Sequence, residues 1–210
     1  MGESGTSQPE EQPSSDPHRP VMAERLRDAR ARSGMSARQL ALQVGCSASL
    51  ISQIERGKAA PSVSRLYSIA TALGVSMDSL FPEAGTPAPG PPDEPGTADD
   101  IVVRCERRSV ISLERGVRWE RLTPQSERSF EFREVFYQPG GGSPDTERAI
   151  QHNGRDYAVI IEGVLTAQIG FDRFVLRPGD SIAFDATIPH LFWNQGSERV
   201  RAVFALTDRA

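Results

Sequence analysis

Only two cysteines, Cys46 and Cys105, stand in the 210 residues. They are too few and too far apart to imply a disulfide framework or a thiolate metal site, so each reads as a small reduced side chain. No apolar run is long enough for a membrane span. The opening "MGESGTSQPEEQPSSDPHRP" lacks the apolar core of a secretory signal. These absences point to a soluble, cytoplasmic protein with no membrane partner.

Apolar residues are also missing from two tracts. Residues 1–19 are mostly Ser, Pro, Gln and Glu, a composition that cannot build a core and predicts a disordered tail. Residues 82–100, "PEAGTPAPGPPDEPGTADD", hold five acids and no base and predict a Pro/Gly-rich linker. Two domains remain, at 20–81 and 101–210. The net charge is −4, yet residues 20–81 carry eight Lys/Arg against four Asp/Glu, while 101–210 balance at fifteen each. A basic block between acidic flanks suits a local polyanion-binding surface.

The first domain reads as five short helices. "VMAERLRDARARSG" sets Met22, Leu26 and Ala29 at helical spacing and stops at Gly34. "SARQLALQVG" opens with Ser36 and has Gln39 three residues on, a capping box. Ser47 can cap "ASLISQIERG", with Leu50, Ile51 and Ile54 inward. Ser62 or Ser64 begins a fourth helix whose apolar face is Leu66, Ile69, Ala70 and Leu73, closed by Gly74. Ser76 caps a last one ending at Leu80 and Phe81. The middle pair is joined by a turn of about three residues, as a helix-turn-helix requires.

The residues Gln39-Leu40-Ala41, Val44-Gly45, Ser47, Ile51-Ser52, Ile54-Glu55, Gly57-Lys58, Pro61-Ser62 and Leu73-Gly74-Val75-Ser76 carry a resemblance to the λ-repressor-like (Xre-type) helix-turn-helix family. The resemblance implies binding to a double-stranded DNA operator through residues 48–56 in the major groove. The side chains opposite Leu50, Ile51 and Ile54 are then free to meet base edges: Ala48, Ser49, Ser52 and Gln53. Gln53 is the strongest reader, since its amide can bond an adenine edge in two places, whereas Ala48 can only touch a thymine methyl. Ser36, Arg38, Ser47, Arg56 and Lys58 sit at helix ends or in the following loop, where phosphates position a domain without specifying sequence. The matching Arg30 and Glu55 form an ion pair in the family and are read as structural. One such domain makes few phosphate contacts, which implies a homodimer presenting two reading helices about 34 Å apart.

The second domain switches to a period of two. "SFEFREVFYQ", "DYAVIIEGVLTAQIG", "DRFVLRPGD", "SIAFDA", "HLFWNQG" and "RVRAVFALTD" are strand-like runs divided by Gly, Pro, Asp and Asn turns, predicting an antiparallel sandwich or barrel, with a jelly roll the leading member. Ile150-Gln-His152, Asp156 and Gly163, with Pro178-Gly179-Asp180, Pro189-His190 and Asn194, resemble the two motifs of a cupin.

Metal-binding members of that family supply three His and one Glu. Here Ile150 stands at the first His position and Asp156 replaces Glu. His152, Asp156 and His190 form a 2-His-1-carboxylate set of the kind that holds Fe(II), but the missing ligand and shortened acid lead to the expectation of no metal cofactor. The barrel mouth is instead read as a ligand pocket lined by Phe136, Arg148, His152, Asp156, His190, Phe192 and Asn194.

The whole chain resembles regulators with an N-terminal Xre-type domain and a C-terminal cupin sensor. That implies a sequence-specific DNA-binding transcriptional regulator, not an enzyme, whose all-β cupin (a double-stranded β-helix, or jelly-roll barrel) senses a small-molecule effector and supports dimerisation. A metal-dependent cupin enzyme carrying its own DNA-binding domain is the alternative.

Overall fold

The computed structural model describes residues 19–82, 101–124, 130–145 and 149–207. The tail expected at 1–19 and the linker expected at 82–100 lie outside them, apart from Arg19 and Pro82.

Four α-helices form the first domain, and local chemistry fixes their ends. Helix α1 (Arg19–Arg32) buries Met22, Ala23, Leu26 and Ala29. Helix α2 (Ala37–Gln43) begins at the capping box: Gln39 N donates to Ser36 Oγ at 3.2 Å, and Ser36 N to Gln39 Oε1 at 2.8 Å. Helix α3 (Ala48–Ile54) is capped by Ser47, whose Oγ accepts from Leu50 N at 3.1 Å. Helix α4 (Val63–Leu73) is capped by Ser62, not Ser64, and ends at Gly74 with φ 64, the left-handed turn glycine adopts without strain.

The fifth helix expected at 76–81 is a single 3₁₀ turn, Asp78–Leu80. Its bonds span three residues, Ser79 N to Ser76 O at 3.2 Å and Leu80 N to Met77 O at 3.1 Å. Pro82 follows, and the residue before a proline is pushed out of helical geometry; Phe81 is extended at ψ 141.

Nine strands form the second domain: β1 (Val110–Leu113), β2 (Val117–Arg121), β3 (Phe130–Tyr137), β4 (Arg155–Glu162), β5 (Leu165–Ile169), β6 (Asp172–Leu176), β7 (Ser181–Asp185), β8 (His190–Trp193) and β9 (Val200–Thr207). They build a six-stranded antiparallel sheet, β1-β2-β3-β9-β4-β7, and a three-stranded one, β6-β5-β8. The expected runs account for β3 to β9. The β1–β2 hairpin was not among them; its turn carries Arg115 at φ 59, the only non-glycine with positive φ among the described residues.

The helical domain packs against the inner face of β1–β3. Glu114 N donates to Pro61 O at 2.9 Å. Arg121 Nη1 lies 3.7 Å from Asp78 Oδ2, both side chains buried, and its guanidinium sits over Phe81. Met22, Leu66, Tyr67 and Phe81 belong to one hydrophobic cluster with Ile111, Val117, Trp119 and Val135. The two domains share a core.

Candidate functional site

The helix-turn-helix face presents most of the expected DNA contacts to solvent. Ser36, Arg38, Ser47, Ala48, Ser49, Gln53, Arg56 and Lys58 are all exposed, because Ile51 and Ile54 turn the other side of α3 into the core. Ser52 is half-buried, and its hydroxyl accepts from the Arg56 guanidinium. Leu50, expected inward, is only partly buried against the core.

Behind this face, Arg30 donates to both carboxylate oxygens of Glu55, at 2.6 and 2.9 Å, and to Met35 O at 2.8 Å. Its pKa is raised by the bond to Glu55 against the opposing effect of burial. Sequence reading missed Arg65, whose Nη1 donates to Val44 O at 2.9 Å and Gly45 O at 3.3 Å. It ties α4 to the turn between α2 and α3.

In the barrel, the motif residues converge. Asp156 on β4 is directed inward between the two imidazoles: His152 Nε2 is 3.3 Å from Asp156 Oδ1, and His190 Nε2 is 3.5 Å from Asp156 Oδ2. His190 is fully buried and Asp156 nearly so. Each Nδ1 meets a backbone carbonyl, His152 that of Asn153 at 3.1 Å and His190 that of Ile188 at 2.9 Å. An Nδ1 can bond a carbonyl only as an N–H donor, so in the neutral rings both Nε2 lone pairs face the carboxylate. Burial pushes the His190 pKa down, against the Ile188 carbonyl and Asp156. For His152 burial also works against the charge, but the adjacent Asp156 carboxylate prevails and the pKa is raised.

His152 Nε2, His190 Nε2 and Asp156 Oδ1 have no hydrogen-bond partner among the described residues. Ligand atoms of the three residues all lie within 4.8 Å of one another. Lone pairs and a carboxylate so arranged fit a divalent cation, with the Nδ1 bonds orienting the rings as they do in metal sites. Ile150 leaves that set one ligand short.

The remaining pocket expectations divide. Phe192 is half-buried and packs on His190, with ring centroids 6.1 Å apart. Phe136 does not line the pocket: strand alternation sends Arg133, Val135 and Tyr137 inward and Phe136 outward, under the guanidiniums of Arg118 and Arg199. Asn194 is not a pocket residue either. It is buried, with Nδ2 within 3.1 Å of the carbonyls of Tyr137, Gln138 and Glu198 and Oδ1 accepting from Gly196 N, so it locks the turn after β8. Arg148 lies outside the described residues.

Four residues that the sequence did not single out complete the site: Arg133 and Glu131 on β3, Trp119 on β2 and Tyr67 on α4. The Arg133 guanidinium carbon lies 3.9 Å from the Trp119 ring centroid, Nη1 is 3.0 Å from Glu131 Oε2, and Nη2 donates to the Tyr67 hydroxyl at 2.8 Å. Burial drives the Tyr67 pKa well above its ordinary value. The Arg133 pKa is also raised: burial opposes its charge, and Tyr67 and Glu131 favour it.

A DNA-reading helical domain fused to a cupin barrel is the architecture of a transcription regulator, and comparison with known families agrees. Residues 26–80 match the helix-turn-helix family and residues 133–206 the cupin domain family. The chain is a helix-turn-helix, DNA-binding transcriptional regulator with a cupin domain.

It is similar to the HTH-type transcriptional regulator PuuR of Escherichia coli (strain K12), 29% identical over 188 residues that cover 87% of this chain and 92% of PuuR. The HTH-type transcriptional regulator SutR of the same organism is 24% identical over 180 residues, 83% of this chain and 88% of SutR. Among solved structures, an HTH_3 family transcriptional regulator from Vibrio cholerae shares the fold at a TM-score of 0.61 and 18% identity, over 92% of this chain and 98% of that one. Among the described residues no helix is long and apolar enough to cross a membrane.

Proposed function

We propose that the cupin barrel is the sensor of this regulator and that a small molecule bound in it changes the affinity of the helix-turn-helix domain for its operator. The observation that carries the reading is the set of buried polar atoms without partners at the barrel centre, directly beneath α4 of the DNA-binding domain. Unpaired buried polar groups are costly and mark a place where a ligand supplies the missing bonds. A thermal-shift screen of small metabolites on the full chain, followed by operator-binding titrations with each hit, tests it. Stabilising ligands that leave operator affinity unchanged would refute the sensor role.

The protein works as a homodimer built through the barrel. The outer face of the six-stranded sheet carries Phe132, Tyr157, Val159, Ala183, Val203 and Ala205 in adjacent register positions, and Tyr157 and Ile161 are both 41% exposed. Contiguous apolar surface of this kind favours association. Sedimentation of the full chain beside Tyr157→Glu checks this: a dimer that Tyr157→Glu dissociates supports it, and a monomeric wild type overturns it.

A second reading, a metal-dependent enzyme carrying its own DNA-binding domain, rests on the His152–Asp156–His190 set. A bound divalent ion would supply a Lewis-acidic anchor for an oxygen-bearing molecule. Elemental analysis of protein purified without added metal separates the two readings.

A further inference from the structure

Tyr67 belongs to α4 of the DNA-binding domain, yet its side chain sits in the barrel site and is only 9% exposed. Its ring lies parallel to the His152 imidazole, with centroids 5.1 Å apart and planes 9° from parallel. It meets Trp119 edge-on at 6.1 Å, and its hydroxyl accepts from Arg133 Nη2 at 2.8 Å.

Little room is left beside His190. The cavity bounded by Tyr137, Ile150, His190 and Phe192 measures about 50 Å³, enough for one or two waters at roughly 30 Å³ each. Sites for small molecules run to about 300–1,000 Å³. An open groove of about 410 Å³ is lined by Tyr67 together with Ser64, Ser68, Ile150 and Gln151. Because Tyr67 lines this groove and its ring covers the His152 imidazole, a molecule that stacks on His152 from the groove has to take the place of Tyr67.

Arg133 favours one kind of replacement. Glu131 Oε2 lies 3.0 Å from Nη1 as an ion pair, the Tyr67 hydroxyl accepts from Nη2, and neither Nε nor Nη1 has a hydrogen-bond partner among the described residues. Nε and Nη2 form one side of the guanidinium fork. A hydroxyl engages one of these two donors, whereas a carboxylate accepts from both in a charge-assisted pair.

We propose that Tyr67 is a built-in competitor for the sensor site and that the effector is a small aromatic carboxylate. Its ring replaces that of Tyr67 against His152 and Trp119, and its carboxylate takes the Nε/Nη2 side of Arg133. This deepens the sensor reading and rests on it. Displacing Tyr67 frees α4 from the barrel, and α4 holds the α2–α3 turn two residues earlier through Arg65. Ligand occupancy is thereby coupled to the element that carries the reading helix.

The test uses the full chain in EDTA, with benzoate and 4-hydroxybenzoate as probes and cyclohexanecarboxylate as the non-aromatic control. Binding is followed by calorimetry, and operator affinity by titration against DNA recovered from genome-wide binding-site mapping. Tyr67→Ala should bind benzoate at least about tenfold tighter than wild type, because the competing occupant is gone. Tyr67→Phe, which keeps the ring and the packing, should lie between them. Arg133→Met should abolish binding, and cyclohexanecarboxylate should bind more weakly than benzoate to every variant.

Benzoate should also change the operator affinity of the wild type but not of Tyr67→Ala. Equal benzoate affinity in wild type and both Tyr67 variants, or no binding of either aryl carboxylate by any variant, overturns the proposal. If another ligand alters DNA binding equally in wild type and Tyr67→Ala, the sensor reading stands and the competitor falls. If aryl carboxylates bind in the expected order without altering DNA binding, Tyr67 does compete for the site, but the sensor reading falls and the effector assignment falls with it.

Discussion

Arg30 of the first helix and Glu55, just past the reading helix, are joined side-on through Nε and Nη2 at 2.6 and 2.9 Å, with their side chains only 18% and 9% exposed. The pair sets the angle at which α3 leaves the core. Removing the carboxylate strands a mostly buried guanidinium. Glu55→Ala should therefore lower the unfolding free energy by about 2–3 kcal/mol, read from urea denaturation. Because neither residue reads bases, operator affinity should fall while the ranking of operator variants stays the same. A changed ranking would make Glu55 a reader.

Gln53 and Lys58 should separate specificity from affinity. Gln53 is exposed in the last turn of α3, and Lys58 is exposed in the loop beyond it. Gln53→Ala should cost about 1–3 kcal/mol on the operator and little on random DNA. Lys58→Ala should weaken binding to all sequences alike and reduce the log–log salt slope by about one. Titrations at several salt concentrations on both DNAs decide it, and an unchanged operator preference in Gln53→Ala would remove it from the reading set.

The shared core predicts cooperative unfolding. Far-UV circular dichroism, dominated by the helices, and the fluorescence of Trp119 at the domain boundary, read in a Trp193→Phe background, should give coincident transitions. Asp78→Ala takes away a buried acid beside Arg121 and should separate them. Non-coincident transitions in the wild type would mean that the domains are independent.

The three-donor set should bind Zn²⁺ or Co²⁺ when these are supplied. His190→Ala should reduce the affinity by at least about tenfold, since even groups that merely support a ligand are worth that much. Ile150→His should raise it. Ile150 pairs with His190 through backbone bonds of 3.0 Å in each direction, and both side chains line one cavity, so the new imidazole would join the existing donors. Equilibrium dialysis of the three proteins checks the order. Metal affinity unchanged by His190→Ala would show that the ion binds elsewhere.

Much of the DNA-reading half was legible because its signals are local. Ser36, Ser47 and Ser62 cap helices through bonds that reach three residues at most, and Gly74 supplies its left-handed turn alone. The motif spacing likewise placed His152, Asp156 and His190 in one set. The β1–β2 hairpin escaped notice because its strands are only four and five residues long, too short for a period of two to stand out. The 76–81 segment carries a helix cap, but too few residues before Pro82 to continue past one tight turn.

Phe136 shows where such reading stops. "FEFREVFY" has aromatic residues at both parities, so alternation alone cannot say which face is buried; what packs against β3 in the folded chain decides, and it selects Arg133, Val135 and Tyr137. Tyr67 is the same case on a helix. Leu66, Ile69, Ala70 and Leu73 account for the α4 face turned to its own domain, and nothing near Tyr67 in sequence indicates a second buried side. The sequence by itself determined the helix ends and the helix-turn-helix, because each depends on residues a few positions apart, and its motif spacing brought out the three donors. Only the tertiary structure decided that Tyr67 packs on His152 and that Arg133 meets it, since that contact joins residues 66 positions apart and exists only where the helical domain packs on β1–β3.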